Sequence, residues 1–167
     1  MEFNDIPSFL EYYKKIRQRT NRLIAVIPPQ YMDWSYKPGK FTIADQIRHI
    51  AAIERNMFAE TIQGNPCIYN GCGKELADGY DQVISYFNEK HTESLKIFST
   101  LTPHDLKQKC LTPAGTPITT WKWLRAMTEH EIHHRAQVYL YLNILDISTP
   151  PMFGLSSEEI ISKSSTN

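Results

Sequence analysis

The chain reads as an all-α protein, a four-helix bundle with long connections, and three observations carry that reading. Apolar residues recur at alternating steps of three and four along four segments, Pro and Gly clusters separate those segments, and no alternating run calls for a sheet. Four helices of roughly 22 to 28 residues would each span about 33 to 42 Å, a natural match for a bundle. A length of 167 residues supports one domain with a full core. The bundle is expected over 1–147, with 148–167 as a polar C-terminal tail.

The first segment places Ile6, Phe9, Tyr13, Ile16, Thr20, Leu23 and Ile27 on one stripe, which Pro28 and Pro29 end. Its basic residues Lys14, Lys15, Arg17, Arg19 and Arg22 read as a solvated face and not as a phosphate track. Thr42 followed by Asp45 resembles a helix start, after which Ile43, Ile47, Ile50, Met57 and Phe58 continue toward Gly64 and Pro66. That helix carries His49. A third helix is predicted from about Lys74 to Thr100, with Leu76, Tyr80, Val83, Phe87, Leu95 and Phe98 on one side, His91 near the stripe and Pro103 beyond the end. The fourth starts near 116–119 and runs to about Leu145, before Pro150 and Pro151.

Connections 28–41 and 101–117 are longer than bundle loops usually are, so at least one of them is expected to cross the bundle or carry functional residues. Within the second, "LKQKCLTPAGTPI" has the pattern of a small hairpin, while "SSEEIISKSSTN" reads as a frayed polar tail. Lys plus Arg equals Asp plus Glu at 18 each and 41% of residues are hydrophobic, which argues against a disordered chain and against a strongly charged surface for nucleic acid. The start lacks a secretory pattern and no apolar run approaches the roughly 20 residues that span a bilayer, so the expected compartment is the cytoplasm. Cys67, Cys72 and Cys110 are read as reduced packing or loop thiols; the spacing of the first two could hold a metal, but no second pair completes it.

The chemistry concentrates in "EHEIHHRAQ", which places three of the chain's six histidines within five positions. With His130 as the zero of a helical wheel, His134 falls at about 40°, Trp123 and Tyr141 at about 20°, and Met127 and Leu145 at about 60°. On that count His130 and His134 share the apolar stripe, His133 lies on its shoulder, and Glu131 and Arg135 turn away from it. Imidazoles one turn apart in an apolar seam can aim nitrogens at one cation, and unpaired they would cost on the order of 1–3 kcal/mol each. A third ligand must come from another helix, and spacing alone leaves both His49 and His91 open. His104 reads as solvated.

Residues 130–134, "HEIHH", also match HExxH, in which Glu131 would be the general base of a zinc hydrolase. The longer HExxHxxGxxH form fails, because Gln137 and Leu140 stand where Gly and His are needed, and the strand-rich half of such peptidases is missing.

Taken together, "FTIADQIRHIAAIE" around His49, "EHEIHHRAQ" about eighty residues later, and "YMDWSYKPGKF" before the second helix resemble the DinB/YfiT-like metal-binding bundles. The second motif is similar to that family's H..HHRGQ block, with Ala136 where Gly is usual. The resemblance covers nearly all of 1–147. It implies His49, His130 and His134 as ligands of a divalent ion, zinc or nickel foremost, with His133 as a neighbour. It further implies connections that reverse the simple up-down order, frequent homodimers, and, in several members, thiol-dependent transfer with mycothiol or bacillithiol.

An all-imidazole set leaves the ion with a charge of about +2 and an open position. The first expected function is therefore metal-dependent transfer of a low-molecular-weight thiol such as bacillithiol to an electrophilic small molecule, since no carboxylate is evident in the core stripe. The second is a metal-dependent hydrolase using a metal-bound hydroxide, with Glu131, Glu54 or Gln137 managing protons, Glu131 being disfavoured by its outward wheel position. The third is a non-catalytic bundle that stores or senses metal and meets a partner through Trp121, Tyr139 and Tyr141. Neither nucleic acid nor a membrane is an expected partner.

Overall fold

The structure is a computed structural model that describes residues 2–165. Its bundle consists of α1 (Ile6–Ile24), α2 (Ile43–Ile53), α4 (Tyr80–Phe98) and α6 (Thr120–Ile144). Helix α2 passes without a break into a π-helical stretch, Glu54–Ala59, and a last turn, α3 (Glu60–Ile62). The remaining elements are a short helix α5 (Pro103–Lys107), a hairpin of β1 (Lys109–Leu111) with β2 (Pro117–Thr119), and α7 (Ser157–Ser164).

The four helices form a square in which α2 packs on α4 and α6, and α1 packs on the same two. Thus α1 and α2, consecutive in sequence, stand diagonally opposite, and the segment between them must cross the end of the bundle. That crossing is pinned rather than loose. Helix α2 starts on a capping box in which Thr42 N–H donates to Asp45 Oδ2 (2.8 Å) and Asp45 N–H to Thr42 Oγ1 (3.0 Å). Its next free amides, at Ile43 and Ala44, donate to the carbonyls of Trp34 (3.0 Å) and Met32 (2.8 Å) in the crossing.

Helix α4 begins at Tyr80, six residues after the expected Lys74. The guanidinium of fully buried Arg48 donates to the Cys72 carbonyl (2.7 Å), the Ala77 carbonyl (2.8 Å) and Asp45 Oδ1 (2.5 Å), holding the approach as a turn that closes with Leu76 N–H on the Gly73 carbonyl (3.2 Å), and Gly79 then takes φ +80°, which ends any helical register. The tail differs too. Ser156 and Glu159 make a capping box that nucleates α7 where a frayed segment was expected, and the Met152 carbonyl accepts from Arg22 (3.3 Å). The "LKQKCLTPAGTPI" hairpin is present, in register Cys110 with Ile118.

Packing divides the interior into two apolar clusters. One gathers Leu23, Ile43, Ile47, Ile50, Phe87 and Val138; the other gathers Phe9, Tyr13, Ile16, Phe58, Phe98 and Leu124. Between them in every helix lies a polar residue: Arg17 and Thr20 on α1, Glu54 after α2, His91 on α4, and Glu131 on α6. Arg17 was expected on a solvated face but is 4% exposed, and Glu131, expected to point away from the core, is 1% exposed.

The reason lies in where α6 faces. Its buried residues Leu124, Met127, Glu131, Arg135, Val138 and Leu142 centre near 100° on the wheel that has His130 at zero, not near 30°. Glu131 sits at the middle of that face. His130 and His134 sit at its edge, half-buried.

Candidate metal centre

Helices α2 and α6 are neighbours, and their shared edge brings His49, His130 and His134 together. One nitrogen of each ring lies within 4.8 Å of the other two. His130 Nε2 and His49 Nε2 are 3.1 Å apart, and the ring centres of His134 stand 4.4 Å from His130 and 4.5 Å from His49. Ligands at 2.0–2.1 Å from a tetrahedral ion are separated by about 3.3 Å, so the spacing suits a shared cation.

The outer nitrogens are anchored. His134 Nδ1–H donates to Gln46 Oε1 (2.6 Å), which fixes the tautomer and leaves its Nε2 lone pair for the centre. Gln46 lies three residues before His49, hence on the same side of α2, and is 1% exposed. Its amide N–H donates in turn to Gln137 Oε1 (2.6 Å), and Gln137 Nε2 donates to His133 Nε2 (2.7 Å). His49 Nδ1 meets the Tyr69 hydroxyl at 2.8 Å.

Tyr69 is placed there by the π-helical stretch. The wider turn leaves the Asn56 carbonyl free to accept from Ile68 N–H (2.9 Å), tying the following loop back onto α2. Burial and the nearby Cys72 raise the Tyr69 pKa.

Electrostatics keep the three rings neutral. Burial, then the neighbouring His49 and His133, lower His130 to about 4. Burial, then His130, His49 and His133, lower His134 to about 3. Burial alone lowers His49. Neutral imidazoles are the form that ligates metal, and three of them with one nitrogen each within 4.8 Å of the others make a site suited to a positive charge. The donor set therefore fits a divalent ion.

The other candidates fall elsewhere. Glu131 accepts from Thr20 Oγ1 (2.5 Å) and pairs with Arg17 (3.1 Å), while Glu54 pairs with Arg17 and with His91 Nδ1 (2.9 Å). Burial pushes the Glu54 carboxyl up, but Arg17 and His91 pull it down further, and the net pKa is lowered. His91 is thus a partner of the charged layer, not of the cluster. Gln137 borders the cluster through Gln46. His133 is exposed, as is His104, which faces Gln108 at 3.1 Å. Sequence reasoning missed Gln46 and Tyr69 as anchors. The spacing of Gln46 from His49 was a usable signal, whereas nothing local marks Tyr69.

Comparison with known proteins gives one family and a consistent fold. The sequence model of the DinB superfamily matches residues 12–138. The uncharacterized protein YjoA of Bacillus subtilis (strain 168) is 25% identical over 149 residues, covering 86% of this chain and 93% of the relative. A crystal structure of a DinB-like protein from Bacillus cereus ATCC 10987 superposes with a TM-score of 0.76 at 16% identity, covering 89% of this chain and 98% of that one. The crystal structure of B. subtilis YjoA, described as DinB-like, gives 0.69 at 17% identity, covering 89% and 99%. The four-helix bundle protein TT2238 gives 0.63 at 17% identity, covering 81% and 98%. These solved structures show the same fold.

Proposed function

The chain belongs to the DinB superfamily, and from that premise we propose that it holds a divalent ion on His49, His130 and His134 and transfers a low-molecular-weight thiol to an electrophilic small molecule. The observation that carries the reading is the convergence of three neutral imidazoles, two of them anchored from behind by Gln46 and Tyr69. Imidazole donors in this number suit zinc or nickel. A bound ion of this kind supplies Lewis acidity, which lowers the pKa of a coordinated thiol or water.

The chain's own residues do the rest. Gln46 holds His134 in one tautomer, Tyr69 holds His49, and the Phe41 ring, 5.3 Å from that of His49, shields one side from water. Thiol transfer is favoured over hydrolysis because both candidate carboxylates, Glu54 and Glu131, are engaged by Arg17 inside the core. Gln137, the remaining candidate, carries no titratable proton. A thiol that ionises at neutral pH needs no base from the protein. The reading takes a small-molecule substrate, a thiol such as bacillithiol, and a homodimer as the working assembly.

Metal analysis of the purified protein beside His130→Ala tests the site: about one ion per chain is expected in the first and a loss of most of it in the second. Incubating the zinc- or nickel-loaded protein with a low-molecular-weight thiol and a panel of electrophiles tests the reaction. Absence of metal-dependent conjugation above background, with metal bound, would leave a metal-holding bundle without this activity. Ester or amide turnover that disappears in His134→Ala would favour the hydrolase instead.

A further inference from the structure

A cavity of about 630 Å³ opens directly beside the candidate centre, with His134, Gln46 and Gln137 in its wall. That is the size range of small-molecule sites. Its remaining lining is mainly apolar. The fold leaves four large apolar side chains uncovered there, Tyr36 (54% exposed), Phe41 (40%), Leu140 (55%) and Ile144 (53%). Scattered exposed apolar residues need no explanation, but these come from two separate stretches of chain and meet around one hollow. The same lining includes Lys40, its residue of fixed charge, and contains no Asp or Glu among the described residues. Its ammonium has no carboxylate partner among the described residues.

We propose that this cavity binds the electrophilic substrate as an amphipathic organic carboxylate, its apolar body against Tyr36, Phe41, Leu140 and Ile144 and its carboxylate at Lys40. The proposal rests on the metal-centre reading for the word substrate, but the binding itself does not. Gly39, at φ +77°, lets the loop turn so that Lys40 and Phe41 flank the same opening. The amides of Gln46 and Gln137, bonded to each other, present a neutral polar floor toward His134 and add no charge that would oppose an anion. A cationic or purely polar ligand would leave both the apolar wall and the ammonium unmatched.

The test is calorimetric titration of the full chain with 4-phenylbutyrate and with the isosteric 4-phenylbutyramide, on zinc-loaded and chelated protein, with zinc content measured on the same samples. The carboxylate is expected to bind more tightly than the amide in both forms. Lys40→Gln should cost the carboxylate roughly threefold to fivefold and leave the amide unchanged, as expected of a half-exposed ion pair. Leu140→Asp, at an exposed position, should weaken the amide by about tenfold through lost apolar contact and the carboxylate by more, because the new charge also opposes the anion. Zinc bound in full, with no carboxylate preference in chelated protein or no response to Lys40→Gln, overturns the pocket assignment and leaves the metal reading standing. Lys40-dependent binding without zinc uptake does the reverse. If neither ligand binds while Leu140→Asp turns a dimer into monomers, the proposal fails and the apolar wall belongs to a second copy of the chain.

Discussion

The charged layer around Arg17 and the histidine cluster around His49 draw on the same helices, yet they meet the cost of polar groups inside a bundle in opposite ways. In the layer, unlike charges pair. Arg17 sits between Glu54 and Glu131, donates to the Tyr13 hydroxyl oxygen at 2.9 Å, and rests 4.0 Å from the Phe87 ring centre. In the cluster, like groups face each other, three imidazoles with lowered pKa values and one nitrogen each within 4.8 Å of the other two. One arrangement finds its counter-charges within the chain, although Arg17 Nε and Nη1 have no hydrogen-bond partner among the described residues. The other brings together three potential metal ligands and no carboxylate, and the contrast separates an ion-paired network from a candidate metal site more firmly than residue type does, since each contains a histidine and each draws on α2 and α6.

The largest expected effect comes from breaking the closed network. Arg17→Met leaves two buried carboxylates without their counter-ion and should cost about 3–5 kcal/mol, on the order of 10 °C in melting temperature. Adding Glu54→Gln and Glu131→Gln to that variant should recover much of the loss, because an entire buried ion cluster is worth far less than its parts. Thermal unfolding of the single and triple variants, without metal, reads this directly; equal losses in both would mean that the layer stabilises by packing alone.

His130→Ala should invert the pattern. In metal-free protein its melting temperature should stay within about 2 °C of the parent, because it removes one of several crowded lone pairs. Affinity for zinc should fall at least about 100-fold in a chelator competition, since a ligand is lost and not merely its support. Gln46→Leu comes next, with a loss of about 10- to 100-fold in metal affinity as His134 loses its tautomer lock. If Gln46→Leu binds zinc as tightly as the parent, the hydrogen-bonded chain behind His134 does nothing for the site.

The same contrast explains what could be read from the sequence. Stripes on α1 and α2, the Thr42–Asp45 cap and the hairpin are local patterns, and local patterns survive folding. The start of α4 was misplaced because Arg48 captures the carbonyls of Cys72 and Ala77, a long-range clamp that periodicity over Leu76 and Tyr80 could not register. Arg17 was assigned to the surface because charge was taken as a mark of exposure, and Glu131 because the wheel of α6 was centred on the histidines, whereas the two pair inside the core. The histidines were placed at the centre of the stripe, whereas they lie at its edge, where a site open to small molecules has to be. Choosing His49 over His91 required the family resemblance; in the fold, His91 belongs to the closed layer through Glu54.

The smallest expected effect is the most diagnostic of how the cluster is set. With His130 at about 4 and His134 at about 3, protons do not compete for these two rings until the pH is well below 6, and burial lowers His49 as well. Zinc affinity should then fall by less than about tenfold between pH 7.5 and 5.5, where three solvated histidines near 6.5 would lose on the order of a thousandfold. The metal-free protein should show the complementary cost. Its unfolded chain takes up protons at these positions from about pH 6.5 downward while the folded chain resists until about 4, so stability is full above 6.5 and is lost as the pH falls through that window. His133→Ala, at an exposed ring outside the cluster, should move neither curve appreciably. A zinc affinity that collapses between pH 6.5 and 5.5 would mean that the imidazoles are solvated in the working protein and that the inward convergence of their lone pairs is not its resting state.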